Sequence, residues 1–327
     1  MINNSITEIS KPIKSELDIF NDYFKQAMKS KVGLVDLITR YILRQKGKKI
    51  RPLLVLLSAQ IAGGVSERSY RGAVLVELLH TATLVHDDVV DNADKRRGFW
   101  SINAIFKNKA AVLMGDYLLA KGLMLAVENK DFDFLSVITN TVKRMSEGEL
   151  LQIQKTRKLN IDEETYFKVI SDKTASLLET CCQIGALSAC NQDNYKDAMK
   201  NFGINLGIAF QIKDDILDYE GAFKLIGKRV GGDIKEKKIT LPLIYSLGKV
   251  SKGEAENIKK MLKNNGNDKD KIKKIIDFVR KNDGLEYAAK AAQDYSNKAK
   301  DSLKIFPDSS AKISLESLVD FVVERKN

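Results

Sequence analysis

Proline is nearly absent from this chain, and the residues between its few breakers repeat with helical spacing. Four prolines and twenty glycines in 327 residues leave few places where a helix must stop, because proline removes a backbone donor and clashes with the preceding turn. A strand-rich fold would need many more turn residues. Apolar residues recur at three- and four-residue steps through 17–28, 34–43, 53–61, 73–90, 110–127, 134–153, 177–189 and 198–217, which places them on helical faces. Segments such as 75–79 and 206–217 are apolar nearly all round, as expected of helices with neighbours on every side. Breakers fall at 63–64, 129–133, 157–162, 191–194 and 264–270. A longer stretch, 220–240, is rich in glycine and lysine and is expected to be a functional loop following a helix end at Asp214, Asp215 and Asp218. No repeat or composition shift marks a boundary. The expectation is one all-α domain over residues 1–327, a single-domain bundle of long helices, with the polar segment 1–11 flexible.

The chain carries a formal net charge of +11 with 30% charged and 44% hydrophobic residues. Such a surplus suits a solvated basic surface or an anionic partner. With no arginine-rich tail, zinc-finger spacing or RNP-like aromatic motif, no nucleic-acid partner is expected. Cys181, Cys182 and Cys190 lack CxxC spacing and a nearby histidine, so they read as small apolar residues in a reducing compartment. The N-terminal residues lack a signal peptide's apolar core. The apolar stretch 52–62 is too short to span a bilayer, and 110–127 is interrupted by Asp116 and Lys121. A cytoplasmic location is expected, with weak peripheral membrane contact at most.

Two DDxxD motifs carry the chemistry: Asp87, Asp88 and Asp91, then Asp214, Asp215 and Asp218. Each residue of a helix turns by ~100°, so Asp87 and Asp91 lie within ~40° of each other, one turn apart. Carboxylates so placed suit Mg²⁺, which takes oxygen ligands and keeps waters and substrate phosphates in its shell. Surplus surface aspartate explains the motifs poorly, since carboxylates near a helix C-terminus oppose the macrodipole and like charges repel. With aspartate at about 6% of residues, one DDxxD arises by chance in roughly one such chain in fifteen, and two far more rarely. Two such clusters facing each other would hold several Mg²⁺ ions and make a diphosphate a leaving group without a protein nucleophile.

Basic groups suited to phosphate accompany the carboxylates. Lys95, Arg96 and Arg97 follow the first cluster, and Lys48, Lys49 and Arg51 precede a helix at Pro52. His80 and His86, the two histidines, lie on the helix leading into the first cluster. A lone helical histidine is usually a core residue, and His80 divides evenly between that role and a phosphate ligand. No Ser-His-Asp or Cys-His pairing supports nucleophilic catalysis.

These residues, in this order, resemble the trans-polyprenyl diphosphate synthase family, medium- to long-chain type. The motifs are GKKIRP at 47–52, ELLHTATLVHDDVVD at 77–91, KRRG at 95–98, GD at 115–116, KT at 173–174, FQIKDDILD at 210–218 and GKRVGGDIKEKKITLP at 227–242. One departure is Lys46, where the family often has a second glycine. The resemblance implies an isoprenoid-synthase bundle around a central active-site cavity. It implies that Lys48, Arg51, His80 and Arg97 take the head group of isopentenyl diphosphate. Arg96, Lys173, Thr174, Gln211 and Lys228 would contact the allylic diphosphate, with Asp233 and Lys238 in a closing loop. Asp87, Asp88, Asp91 and Asp214, supported by Asp215 and Asp218, would hold Mg²⁺. A homodimer is implied too. Ala82 and Thr83, five and four residues before Asp87, are small where short-chain members tend to be aromatic. The product is therefore expected to be about thirty to forty carbons, with Leu75, Leu78, Leu79, Met114 or Leu118 as candidate tunnel floors; one helical turn is ~5.4 Å, comparable to one isoprene unit. The alternatives are a synthase of fifteen- or twenty-carbon products, a terpene cyclase, which would need only one diphosphate pocket, and a basic helical scaffold, which would leave the aspartates unexplained.

Overall fold

The computed structural model describes residues 5–45, 47, 49–96, 98–224, 232–264 and 268–325. Among them the backbone is helical nearly throughout: α1 (Ile6–Ser10), α2 (Lys14–Met28), α3 (Gly33–Arg44), α4 (Ile50–Ala62), α5 (Glu67–Val90), α6 (Ile102–Glu128), α7 (Phe132–Lys158) and α8 (Glu163–Ile170). There follow α9 (Ser176–Ala189), α10 (Asp193–Lys224), α11 (Gly232–Lys235), α12 (Leu241–Gly248), α13 (Lys252–Asn264), α14 (Lys269–Lys281), α15 (Gly284–Ser302) and α16 (Ser310–Glu324). A two-stranded antiparallel ribbon, β1 (Lys95–Arg96) with β2 (Phe99–Trp100), follows α5. The fold is all-α. Its residues group into two compact units, one of Met1–Asn140, Thr180–Lys200 and Ile305–Leu315, the other of Thr141–Glu179, Asn201–Lys304 and Glu316–Asn327.

In the first unit α5 packs against α2, α4 and α6. A reciprocal pair of hydrogen bonds between Ser66 and Ser69 starts α5, satisfying backbone donors that a helix end otherwise leaves bare. Leu53 to Leu57 of α4 and Leu75, Val76, Leu78 and Leu79 of α5 are all at most 2% exposed. Burying each such side chain contributes about 1.5–3 kcal/mol. α6 departs from helical geometry at Lys107 (φ 73°). By length and apolar composition α6 is long enough to cross a membrane, and a third of its most apolar window is buried (33%). The chain is helical from Ile6, with Ile9 and Ile13 buried, so the flexibility expected over 1–11 does not hold for residues 6–11; residues 1–4 lie outside the described residues.

In the second unit two apolar clusters hold the helices. One joins Tyr219, Ile234, Leu243, Leu262, Ile275 and Val279; the other joins Tyr166, Ile212, Ile216, Leu241 and Ala292. α8 lies where only a breaker was expected to end. It begins because the Asp162 carboxylate accepts from the Thr165 amide at 2.8 Å. The second DDxxD does not mark a helix end: α10 continues to Lys224. Buried Ile216 and Tyr219 carry the apolar face past the aspartates. The expected loop 220–240 is likewise shorter, since Gly232–Lys235 forms one more helical turn.

Candidate active site

The first aspartate cluster closes α5. Asp91 is its C-terminal cap, and the Asp91 amide donates to the Asp87 carbonyl at 2.8 Å. Asp87 and Asp91 are exposed, whereas Asp88 is 4% exposed. Arg96 reaches back from β1 and donates from Nε to Asp88 Oδ1 at 2.7 Å. Gly98, at φ 84°, turns the ribbon that carries Arg96. The cluster therefore has two carboxylates facing outward and a third anchored to an arginine. Two turns back, His80 is buried (8% exposed), and Thr83 donates its hydroxyl to the His80 carbonyl at 2.9 Å. Ala82 is 2% exposed. Arg51 sits in the first turn of α4. His86 has its Nε2 3.4 Å from Asp116. Gly115 makes room for that ring, for a Cβ there would lie 2.2 Å from His86 Nε2.

The second cluster lies inside α10 and is tied down more completely. Asp215 is 3% exposed and accepts from the Tyr166 hydroxyl at 2.6 Å and from Gln211 Nε2 at 2.8 Å. Asp218 accepts the amides of Gly232 and Asp233, both at 3.0 Å, and so caps α11. Asp214, about half exposed (side chain 43%), pairs with Arg325 at 2.6 Å.

Beside this cluster is a cavity of about 220 Å³. Its wall includes Lys173, Thr174, Gln211, Asp215, Asp233 and Lys238. Lys173 and Thr174 belong to a π-helical turn, Ser171–Ala175, a geometry that re-aims side chains and is frequent at functional sites. Two glycines make room for it. A Cβ on Gly148 would lie 2.9 Å from the Lys173 amide nitrogen, and one on Gly207 would lie 2.5 Å from Ala175 Cα. Lys173 forms an ion pair with Glu149 and approaches Gln152 Oε1 at 3.3 Å. Thr174 donates to Gln211 Oε1 at 2.9 Å. Burial pushes the Asp215 carboxyl well above the usual range, and nearby Asp233 adds to the effect. Asp233 is raised too, first by burial and then by Asp218, with Lys238 acting in the opposite direction.

The structure thus brings Lys173, Thr174, Gln211, Asp215 and Lys238 to one cavity and gathers Asp87, Asp88, Asp91 and Arg96 at the end of α5. Lys48, Arg97 and Lys228 lie outside the described residues. Sequence reasoning missed Tyr166, Glu149 and Arg325, which contact Asp215, Lys173 and Asp214. No motif or period marked them.

Among the described residues no group of three or more His, Cys, Asp or Glu side chains converges tightly enough to hold an ion alone. Mg²⁺ is commonly held by one or two carboxylates, with the rest of its shell from water and phosphate. The outward Asp87 and Asp91 fit such a donor set.

Paired DDxxD motifs on helices, with lysine and threonine facing a cavity, define an all-α enzyme that handles diphosphates. Residues 33–279 match the polyprenyl synthetase family, and the chain belongs to it: it is a prenyltransferase. It is 34% identical to the octaprenyl diphosphate synthase of Haemophilus influenzae, over 98% of this chain and 97% of that one. Among solved structures it is similar to a polyprenyl synthase from Caulobacter crescentus complexed with calcium and isoprenyl diphosphate (TM-score 0.90, 32% identity, 99% and 98% covered). It is also similar to a geranylgeranyl pyrophosphate synthase from Bacteroides thetaiotaomicron (TM-score 0.83, 38% identity, 98% and 99% covered).

Proposed function

We propose that the protein condenses isopentenyl diphosphate head to tail onto an allylic diphosphate, with Mg²⁺, to give a polyprenyl diphosphate of about thirty to forty carbons. The observation that carries the reading is the grouping of Lys173, Thr174, Gln211, Asp215 and Lys238 around one cavity. A cavity lined by lysines, hydroxyls and amides suits phosphate oxygens. On this reading Asp87, Asp91 and Asp214 would be the carboxylates that hold Mg²⁺. When bound, it would neutralise the diphosphate and make it a better leaving group.

The chain's own residues supply the rest. Arg96, Lys173 and Lys238 would balance charge on the allylic diphosphate as its carbon–oxygen bond breaks and the oxygen keeps the electron pair. The double bond of isopentenyl diphosphate then attacks the allylic carbon, a carbon–carbon bond forms, and a proton passes to the departing diphosphate. Arg51 and His80, with Lys48 and Arg97, would hold the second head group. Apolar helices would keep water from the cation.

Small Ala82 and Thr83 favour a longer product; Leu75, Leu78, Leu79, Met114 and Leu118, all at most 2% exposed, are the candidates for its floor. The similarity to an octaprenyl diphosphate synthase supports this reading, and the similarity to a geranylgeranyl pyrophosphate synthase keeps a twenty-carbon product as the alternative. Incubation with labelled isopentenyl diphosphate, a set of primers and Mg²⁺, followed by chain-length analysis, tests it. A product of fifteen or twenty carbons alone would refute the length.

A homodimer belongs to the same reading. Val112, Leu113, Met124 and Val127 are 41–59% exposed on about one third of the circumference of α6, a sector that also carries exposed Asp116, and exposed apolar residues so grouped suit a second copy. Sedimentation of the purified protein tests this; a monomer at micromolar concentration would refute it.

A further inference from the structure

Arg325 follows α16, more than a hundred residues after the aspartate it touches. Its Nη2 lies 2.6 Å from Asp214 Oδ1 and donates to the Phe210 carbonyl at 3.0 Å. Its guanidinium carbon stands 4.1 Å from the centre of the Phe210 ring. The side chain is 16% exposed against 43% for Asp214, so the arginine approaches from the protein side and leaves the carboxylate's outer side open. Arg325 Nε is buried and has no hydrogen-bond partner among the described residues. A buried donor left unmet costs about 1–3 kcal/mol. The guanidinium is thus held to Asp214 by one strong contact while a second donor goes unmet, an arrangement that leaves it incompletely satisfied.

We propose that Arg325 is a resident counter-ion of Asp214, which a divalent cation must outcompete, so that Asp214 binds metal weakly until diphosphate arrives with it. The inference rests on the reading of Asp214 as a metal ligand. Two positive partners cannot share one carboxylate without mutual repulsion, and the outer oxygen alone offers an incoming ion a carboxylate already half neutralised. Diphosphate brings enough negative charge to reverse that balance. The guanidinium can then turn its unmet donor toward other oxygens.

The test is Mn²⁺ binding to the full-length protein without substrate, read by electron paramagnetic resonance of the free ion. Arg325→Gln should tighten binding by about tenfold, and Arg325→Lys, which keeps the charge, should remain within about twofold of wild type. Unchanged or weaker binding in Arg325→Gln overturns the proposal. So does tightening that survives the added Asp214→Asn substitution. Weaker binding in Asp214→Asn alone, with no tightening in Arg325→Gln, overturns the counter-ion role and leaves Asp214 as a ligand; no dependence on Asp214 overturns both. A second measurement needs no variant to fold. In wild-type protein labelled at arginine Nε, the Arg325 signal must shift when Mg²⁺ and inorganic diphosphate are added together, and a signal that stays in place overturns the proposal.

Discussion

The two aspartate clusters share a sequence pattern and differ in how the protein holds them. At the end of α5, Asp87 and Asp91 are exposed, and Asp88 is buried against Arg96 eight residues on. Within α10 all three aspartates are engaged: Asp215 by Tyr166 and Gln211, Asp218 by the first amides of α11, and Asp214 by Arg325. A helix end leaves room for carboxylates to point outward; a helix interior packed among neighbours turns them into joints. On the proposed function the first cluster would take a cation through its exposed carboxylates. The second would have Asp214 for that purpose, while Asp215 and Asp218 join α10 to α8 and α11.

The largest effects should come from the outward carboxylates. Asp87→Ala and Asp214→Ala should each lower kcat by about 10³-fold or more while leaving the melting temperature within a few degrees of wild type, as measured by product formation and calorimetry. If Asp215→Ala lost as much activity with no loss of stability, the contrast between ligand and joint would fail.

Stability should separate the clusters next. Tyr166→Phe removes a hydroxyl bonded to the buried Asp215 and should destabilise the fold by about 1–3 kcal/mol in denaturant titration. Asp88→Ala leaves Arg96 without its carboxylate. Because that arginine is 32% exposed, the loss should be smaller, about 1–2 kcal/mol. Equal and negligible losses in both would remove the distinction.

A pH dependence also separates the clusters. Asp215 is pushed up to about 8 in the folded protein, above its unfolded value of ~4, so the folded state holds the extra proton between those values. This group's contribution to the stability of the metal-free protein is fully present below the unfolded value and is lost as pH rises through about 8. Asp215→Asn, which cannot ionise, should flatten that slope in melting curves taken in EDTA. A slope unchanged by the substitution would place its origin elsewhere.

Much of this was legible in the sequence, and the reasons it stopped are physical. Helix period and scarce proline announced α2 through α7, α9 and α10, because a face that must be buried leaves a pattern in the chain. Local spacing placed Asp87 beside Asp91, since the helix converts an interval into a direction. It did not reveal that Asp218 caps α11 or that Asp215 meets Tyr166, because those bonds join residues fourteen and forty-nine positions apart. The π-helical turn behind Lys173 was equally hidden: it depends on Gly148 and Gly207 from other helices leaving space for it. Arg325 was farther still from any local signal.

The central claim is that these carboxylates act through a divalent ion brought to a diphosphate. Its most direct test is formation of polyprenyl product from labelled isopentenyl diphosphate and an allylic primer, first in EDTA and then with rising Mg²⁺. The account predicts no product in EDTA and full recovery with Mg²⁺; undiminished product in EDTA would contradict it.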